Sequence, residues 1–270
     1  MDTKRLPATA FDDAATRAWN TYLTLKPDLV ILADDNAISR LSERLGKTNI
    51  PVIFLGMNAN PRRYGIHKLA NFTGVLERPL FKRSLLFVDQ LLKDLPKRKI
   101  LVLFDSSHTS VATIEHINRS KLSMTIGRSH VEFKLITNIV EWKSLIKASK
   151  AKGFDAIFIG LHHTIVDENT DYVSPAQIMQ WTKLNSPLPH FGFWDFSIGS
   201  NGNVGGYVLD GFLHGQLAGK LAMKVLSGTP VSKIPYLHDK KGQYMFSLSG
   251  VERWKLHIPE KVRQQVIWTN

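Results

Sequence analysis

In Pro27-Asp28-Leu29-Val30-Ile31-Leu32-Ala33, followed at once by Asp34-Asp35-Asn36, residues 29–33 are a continuous apolar run that stops on three polar residues. With no alternation of polar and apolar positions, residues 29–33 read as a parallel strand buried on both faces. Upstream, Ala15, Ala18, Trp19, Tyr22 and Leu23 fall at helical spacing, Asp12 and Asp13 are placed to cap that helix, and Lys26-Pro27 ends it. Downstream, residues 37–45 read as a helix and Gly46-Lys47-Thr48-Asn49 as a turn. Residues 51–55 then form a second apolar strand that ends in Gly56-Met57-Asn58. Strand, helix, strand is a βαβ unit.

After a polar segment the same rhythm resumes. Residues 79–95 predict an amphipathic helix, and apolar strands follow at 100–104, 131–136, 155–160 and 190–194. Helices near 109–121, 140–152 and 174–185 separate them, the middle one presenting Glu141, Trp142, Leu145, Ile146 and Ser149 at helical spacing. Residues 207–227 predict a Gly- and Ala-rich helix, and the tail from 234 supplies short extended pieces. The fold class is therefore α/β, with two open parallel sheets covered by helices. The Gly-rich segment 199–206 reads as a flexible hinge.

The 270 residues suffice for two lobes, and 43% hydrophobic with 21% charged residues is the composition of a folded globular chain. A net charge of +12 raises nucleic acid as a partner, but the basic residues are dispersed. The densest run, Lys97-Arg98-Lys99, reads as a solvated loop before a strand, so no nucleic-acid partner is expected. Without cysteine, disulfides, thiolate metal sites and cysteine nucleophiles are excluded. No apolar run approaches the ~20 residues of a membrane helix, and no secretion signal is readable at the N-terminus.

In open α/β sheets ligands sit at the carboxyl ends of strands, which selects five loops. They are 34–36, 56–58, 105–110, 161–164 and 194–197. The segment Asp105-Ser106-Ser107-His108-Thr109-Ser110 clusters hydroxyls where a helix begins, suiting a carboxylate or phosphate or simple capping. Asp35 and Asp195 could pair with a ligand ammonium or hydroxyl or serve as caps, and Trp194 could supply an aromatic wall. His162-His163 lacks a third ligand at metal spacing, so no metal is expected. Neither a nucleophile elbow nor a phosphate loop is present, and no cofactor is implied.

The ordered motifs Lys26-Pro27-Asp28-Leu29-Val30, Ala33-Asp34-Asp35-Asn36-Ala37, Ile50-Pro51-Val52-Ile53-Phe54, Asn71-Phe72-Thr73-Gly74-Val75 and Ile198-Gly199 ahead of Gly215-Gln216-Leu217-Ala218 resemble a known family. So does the close, Leu226-Ser227-Gly228-Thr229-Pro230, Ile234-Pro235 and Ile258-Pro259 before a last helix. The family is the ABC transporter substrate-binding proteins that include tryptophan-binding-protein-like members.

The resemblance implies the type 1 periplasmic-binding fold, two Rossmann-like lobes with a three-segment hinge. The lobes would span 1–77 plus 206–232 and 80–203 plus 234–270, with crossings near 75–80, 203–208 and 232–246. It implies ligand contacts from Asp35, Asn36, Asn58, Ser107, Thr109, His163 and Asp195, to which the loop chemistry adds Ser106 and Trp194, and hinge closure around a small organic solute. The partner would be a membrane permease, the location extracytoplasmic, and no reaction would be catalysed. An alternative is the ligand-sensing domain of a membrane receptor, with a signalling kinase as partner. A sugar-responsive repressor core would need a helix-turn-helix, and none is readable before residue 27. Only 26 residues precede Pro27, where the family fold has two strands and a helix. The first lobe is therefore expected to be incomplete, lacking a secretion signal and some ligand contacts, with an open sheet edge through which a homodimer could form.

Overall fold

The computed structural model describes all residues except Asp2, Lys4, Arg5, Pro79, 93–97 and Lys240. The chain divides into two compact units, Met1–Arg78 with Gly211–Lys240, and Pro79–Asp210 with Lys241–Asn270.

Unit 1 opens with helix α1 (Phe11–Leu25). Its cap position is Ala10 rather than either aspartate; Asp12 and Asp13 lie inside the first turn, where their charge complements the helix dipole. Strand β1 (Val30–Ala33) runs directly into α2 (Asp34–Gly46), and β2 (Val52–Met57) and β3 (Phe72–Leu76) follow. The sheet is parallel and ordered β1, β2, β3, and then a short strand, 237–238, returning late in the chain. One face packs Leu32, Val52, Phe54 and Phe72 against Ile38, Leu41 and Leu45 of α2. The other packs Ile53 and Val75 against the late helix that carries Ala218, Leu221 and Val225. That helix covers β2 and β3. On edge strand β1, Leu32 is buried, but Ile31 is 52% exposed, so β1 is covered on one face and not on two as its composition suggests.

Unit 2 begins with α3 (Phe81–Leu91), shorter than the expected 79–95; Pro79 and 93–95 lie outside the described residues. Then come β4 (Arg98–Asp105), α4 (His108–Asn118), β5 (Ser123–Ile126), β6 (Ser129–Ile136), α5 (Ile139–Ala148), β7 (Ala156–Ile159), α6 (Pro175–Asn185), β8 (His190–Gly192) and β9 (Gly205–Val208). The chain returns to unit 1 for α7 (Gly211–Leu226) and β10 (Leu237–His238). It closes in unit 2 with β11 (Gln243–Ser247), α8 (Leu248–Trp254), α9 (Glu260–Arg263) and β12 (Val266–Thr269).

The eight-stranded sheet of unit 2 runs β12-β11-β9-β8-β7-β4-β6-β5 and is mixed. Its centre is parallel as expected, and β5–β6 and β9–β11 add antiparallel pairs on either side of it. The β5–β6 pair is a hairpin turned by Gly127-Arg128, with Gly127 at φ +56.

Three other expectations change. Residues 205–208 form β9 instead of the start of a helix, so α7 begins at Gly211; the ring of Phe246 lies where a side chain on Gly205 would be. Segment 199–203 is a packed turn and no hinge, tied by Asn203 N–H to Ser197 O at 2.7 Å and Ser200 N–H to Asn270 O at 2.7 Å. The basic run is no solvated loop where it is described. Arg98 is 2% exposed at the start of β4, and its Nη1 meets Asp89 Oδ1 of α3 at 2.8 Å; Lys97 lies outside the described residues. Among the described residues no helix is long and apolar enough to cross a membrane.

Candidate functional site

In unit 1 the parallel strands β1, β2 and β3 end along one edge of the sheet, and their first polar residues form one cluster. The junction at β1 is abrupt: Asp34 takes φ +68 as the helix begins, a conformation that aspartate tolerates better than most residues. Asp35 follows, 2% exposed, with Oδ2 accepting from Asn58 N–H at 2.9 Å and Oδ1 from Ala59 N–H at 3.1 Å and the Tyr64 hydroxyl at 3.0 Å. Burial raises its carboxyl above the usual range, and these three donors offset only part of that. The same burial, with the Asp35 charge, pushes the Tyr64 phenol up.

Near the end of β2, where its pairing with β3 shifts register, Gly56 takes φ +68 with Asp34 Oδ1 2.6 Å from the position of a would-be Cβ, so a larger residue there would be strained by the backbone and would push the Asp34 side chain aside. Asn58 is 5% exposed; its Nδ2 donates to Glu77 Oε2 at 3.1 Å and to Gly56 O at 3.3 Å. Its Oδ1 is buried without a partner among the described residues. After β3, Arg78 donates through Nη1 to the carbonyls of Met57, Asn58 and Glu77 at 3.0, 2.9 and 2.7 Å, knitting the strand ends together. Asn36 is half-buried, outside this web, with Nδ2 on Thr3 Oγ1 at 3.1 Å.

In unit 2 a second aspartate plays the corresponding part. Asp105, 1% exposed at the end of β4, accepts at Oδ1 from Ser107 Oγ (2.6 Å), Ser107 N–H (3.2 Å) and Ser110 Oγ. Its Oδ2 accepts from His163 N–H (2.8 Å) and Thr164 N–H (3.1 Å), beyond the end of β7. Burial alone would raise this carboxyl; the hydroxyls of Ser107 and Ser110, the Ser107 N–H and nearby His163 outweigh it and hold it below the usual range.

Ser107 also caps α4, taking the N–H of Ser110 at its Oγ and that of Val111 at its carbonyl. Among the described residues this leaves the His108 and Thr109 N–H groups at that terminus for a ligand. Ser106 Oγ is exposed and 3.1 Å from Thr137 Oγ1, and Thr109 is half-buried.

A cleft of about 440 Å³ opens beside these strand ends, lined by His162, His163, Met179, Phe196, Gly199 and Asn270 among others. His162 and His163 stack at 4.9 Å, and Phe196 meets His163 edge-on at 6.1 Å. Trp194, 3% exposed, is packed in the core with the half-exposed Phe196 stacked on it at 6.2 Å. Asp195 Oδ1 accepts the Phe196 N–H at 2.7 Å. His162 is buried, its Nδ1 donating to Gly160 O at 2.9 Å, and burial lowers its proton affinity. Among the described residues no group of three or more His, Asp or Glu could hold a metal ion.

The structure thus gathers Asp35 and Asn58 in unit 1 and Ser106, Ser107, Thr109 and His163 in unit 2, with Asp195 beside the cleft-lining Phe196. Sequence reasoning passed over Tyr64, Glu77, Arg78 and Phe196. The rule that ligands sit at strand ends reaches Glu77 and Arg78 once residues 72–76 are recognised as a strand.

The sequence matches the family described as ABC transporter substrate binding protein over residues 12–267. No curated protein is similar enough to count as a match. Among solved structures, the ABC domain from Streptococcus pneumoniae in complex with L-Trp superposes with a TM-score of 0.67 at 17% identity, covering 96% of this chain and 84% of that one. A conserved domain protein from Vibrio cholerae gives 0.65 at 16% identity, again covering 96% and 84%. The ligand-free, open form of a substrate-binding protein with adhesive properties from Clostridium difficile gives 0.64 at 16%, with the same coverage. At such identities these likenesses speak for the fold, which is that of periplasmic binding proteins, while the family match extends over nearly the whole chain. The chain belongs to the ABC transporter substrate-binding protein family.

Proposed function

We propose that the chain recognises a free amino acid or a similar small zwitterion, and delivers it to an ABC permease without chemical change, outside the cytoplasm. As a family member it is a solute-binding component of an ABC-type system. The observation that carries the choice of solute is Asn58 Oδ1, a buried acceptor without a donor among the described residues, beside the carboxylates of Asp35 and Glu77. A buried amide oxygen in such a place calls for a donor, and an ammonium brings three N–H groups and a charge that the carboxylates favour.

The α4 terminus in unit 2, with the Ser106 and Thr109 hydroxyls, offers the donor chemistry that a carboxylate requires. The superposing structure from Streptococcus pneumoniae was solved in complex with an amino acid, L-Trp. Asn36, Asn58, Ser106, Thr109, His163 and Asp195 are retained as ligand candidates, with Asp35 and Ser107 acting through the loops they hold and the buried Trp194 through the Phe196 ring stacked on it. The exposed edge of β1 also suits pairing with a second copy of the chain, which sedimentation at rising protein concentration tests; a monomer throughout would contradict it.

Calorimetric titration with a panel of amino acids, nucleosides, sugars and organic acids tests the solute class. We expect binding by an amino acid and none by its N-acetyl derivative. Equal binding of the two, or binding confined to another class, would overturn the assignment.

A further inference from the structure

Within unit 1 a buried histidine ties the last-returning segment of the chain to the strand-end cluster. His214, in the first turn of α7, is 5% exposed. Its Nδ1 lies 2.6 Å from Asp239 Oδ2, and its Nε2 is 2.8 Å from the backbone nitrogen of Gly56. A backbone N–H can only donate, so Nε2 carries a lone pair here; the ring is neutral, with its proton on Nδ1 and directed to Asp239. Gly56 is the positive-φ residue at the register shift near the end of β2. Two residues on, the N–H groups of Asn58 and Ala59 hold Asp35, and the Asn58 amide offers its unpartnered oxygen.

We infer that His214 is a positioning residue for the Asn58 site, and that uptake of a proton at Nε2 releases the Gly56 backbone at the end of β2 and weakens solute binding. The proton comes from solvent and places an N–H opposite an N–H, which breaks the bond. The charged groups around the ring set the competition. Burial alone would depress the imidazole's proton affinity; the hydrogen bond and charge of Asp239, with the charges of Glu77 after β3 and Asp34 at the start of α2, outweigh burial and set it above its ordinary value. Those carboxylates favour the cation, and the Gly56 N–H favours the neutral ring. The two trends have opposite signs. Stability from the His214–Asp239 pair is full on the acid side and is lost as pH rises through the raised value, whereas the Gly56 bond forms as pH rises.

The effect on affinity rests on the Asn58 assignment made above; the latch itself does not. The test uses the unmodified protein. The ¹⁵N resonance of His214 Nε2 and amide hydrogen exchange at Gly56, corrected for the intrinsic pH dependence of exchange, are followed as pH is lowered. Protection at Gly56 should fall about tenfold in step with protonation of Nε2, while amides of β4 stay protected. Asp239→Asn should move the Nε2 and Gly56 midpoints to lower pH together, whereas with a merely structural histidine only the ring's own midpoint would move. Gly56 protection that ignores the His214 titration, or an Nε2 protonated at every pH, would overturn the latch. Solute affinity measured at the same pH values separates the two claims. Affinity falling with Gly56 protection supports both, and flat affinity with the Gly56 response intact leaves the latch standing and overturns the Asn58 assignment.

Discussion

Asp35 and Asp105 are each buried where a parallel strand ends, one in each unit, yet their carboxyls move in opposite directions. Asp35 has three donors, two N–H groups and one phenol, against nearly complete burial and a like-charged neighbour, Asp34. Asp105 has five, among them two serine hydroxyls, and a histidine close by. Burial sets the penalty for both, and the donor set decides the sign. Both carboxylates are occupied in holding loops, so the groups left for a ligand are the ones those loops carry: Asn58 in unit 1, the α4 terminus and His163 in unit 2.

Replacement of each aspartate by its isosteric amide probes this difference. Asp105→Asn turns an NH₂ toward groups that are themselves donors and should lower stability to urea by about 3 kcal/mol. Because its folded value is depressed, the charge of Asp105 contributes above the unfolded value of about 3.9, and that contribution is lost as pH falls through the folded value. The gap between wild type and Asp105→Asn should therefore narrow on acidification.

Asp35→Asn should lower stability less, by about 2 kcal/mol. Its raised folded value gives the opposite slope: the contribution of Asp35 is fullest below about pH 3.9 and is lost as pH rises through the folded value. That gap should widen on acidification. Slopes of the same sign in the two variants would break the comparison.

Much of the architecture was written in local pattern. The apolar runs at 29–33, 51–55, 100–104 and 155–160 identified parallel strands, and the polar residues after them located both clusters. Glycine-rich and edge pieces were not legible: β9 begins with two glycines, and β5 shows only Ile126 buried. The site was legible as positions and not as roles. Asp105 is occupied by His163 and Thr164, 58 and 59 residues away, and His214 reaches Gly56 across 158 residues. Such pairings follow from strand order, which periodicity does not encode. Trp194 had the composition of an exposed wall, but β8 turns it into the core and leaves Phe196 at the surface.

The smallest change with the most direct bearing on the central claim is at Asn58. Calorimetric titration of the best-binding amino acid into wild type and Asn58→Leu, each first shown to melt as a folded protein, compares a site with and without the unpartnered acceptor. A hydrogen bond to a charged donor predicts a loss of affinity of about tenfold to a hundredfold, with the N-acetyl derivative unable to distinguish the two proteins. Equal affinity of the free amino acid for both would contradict the account.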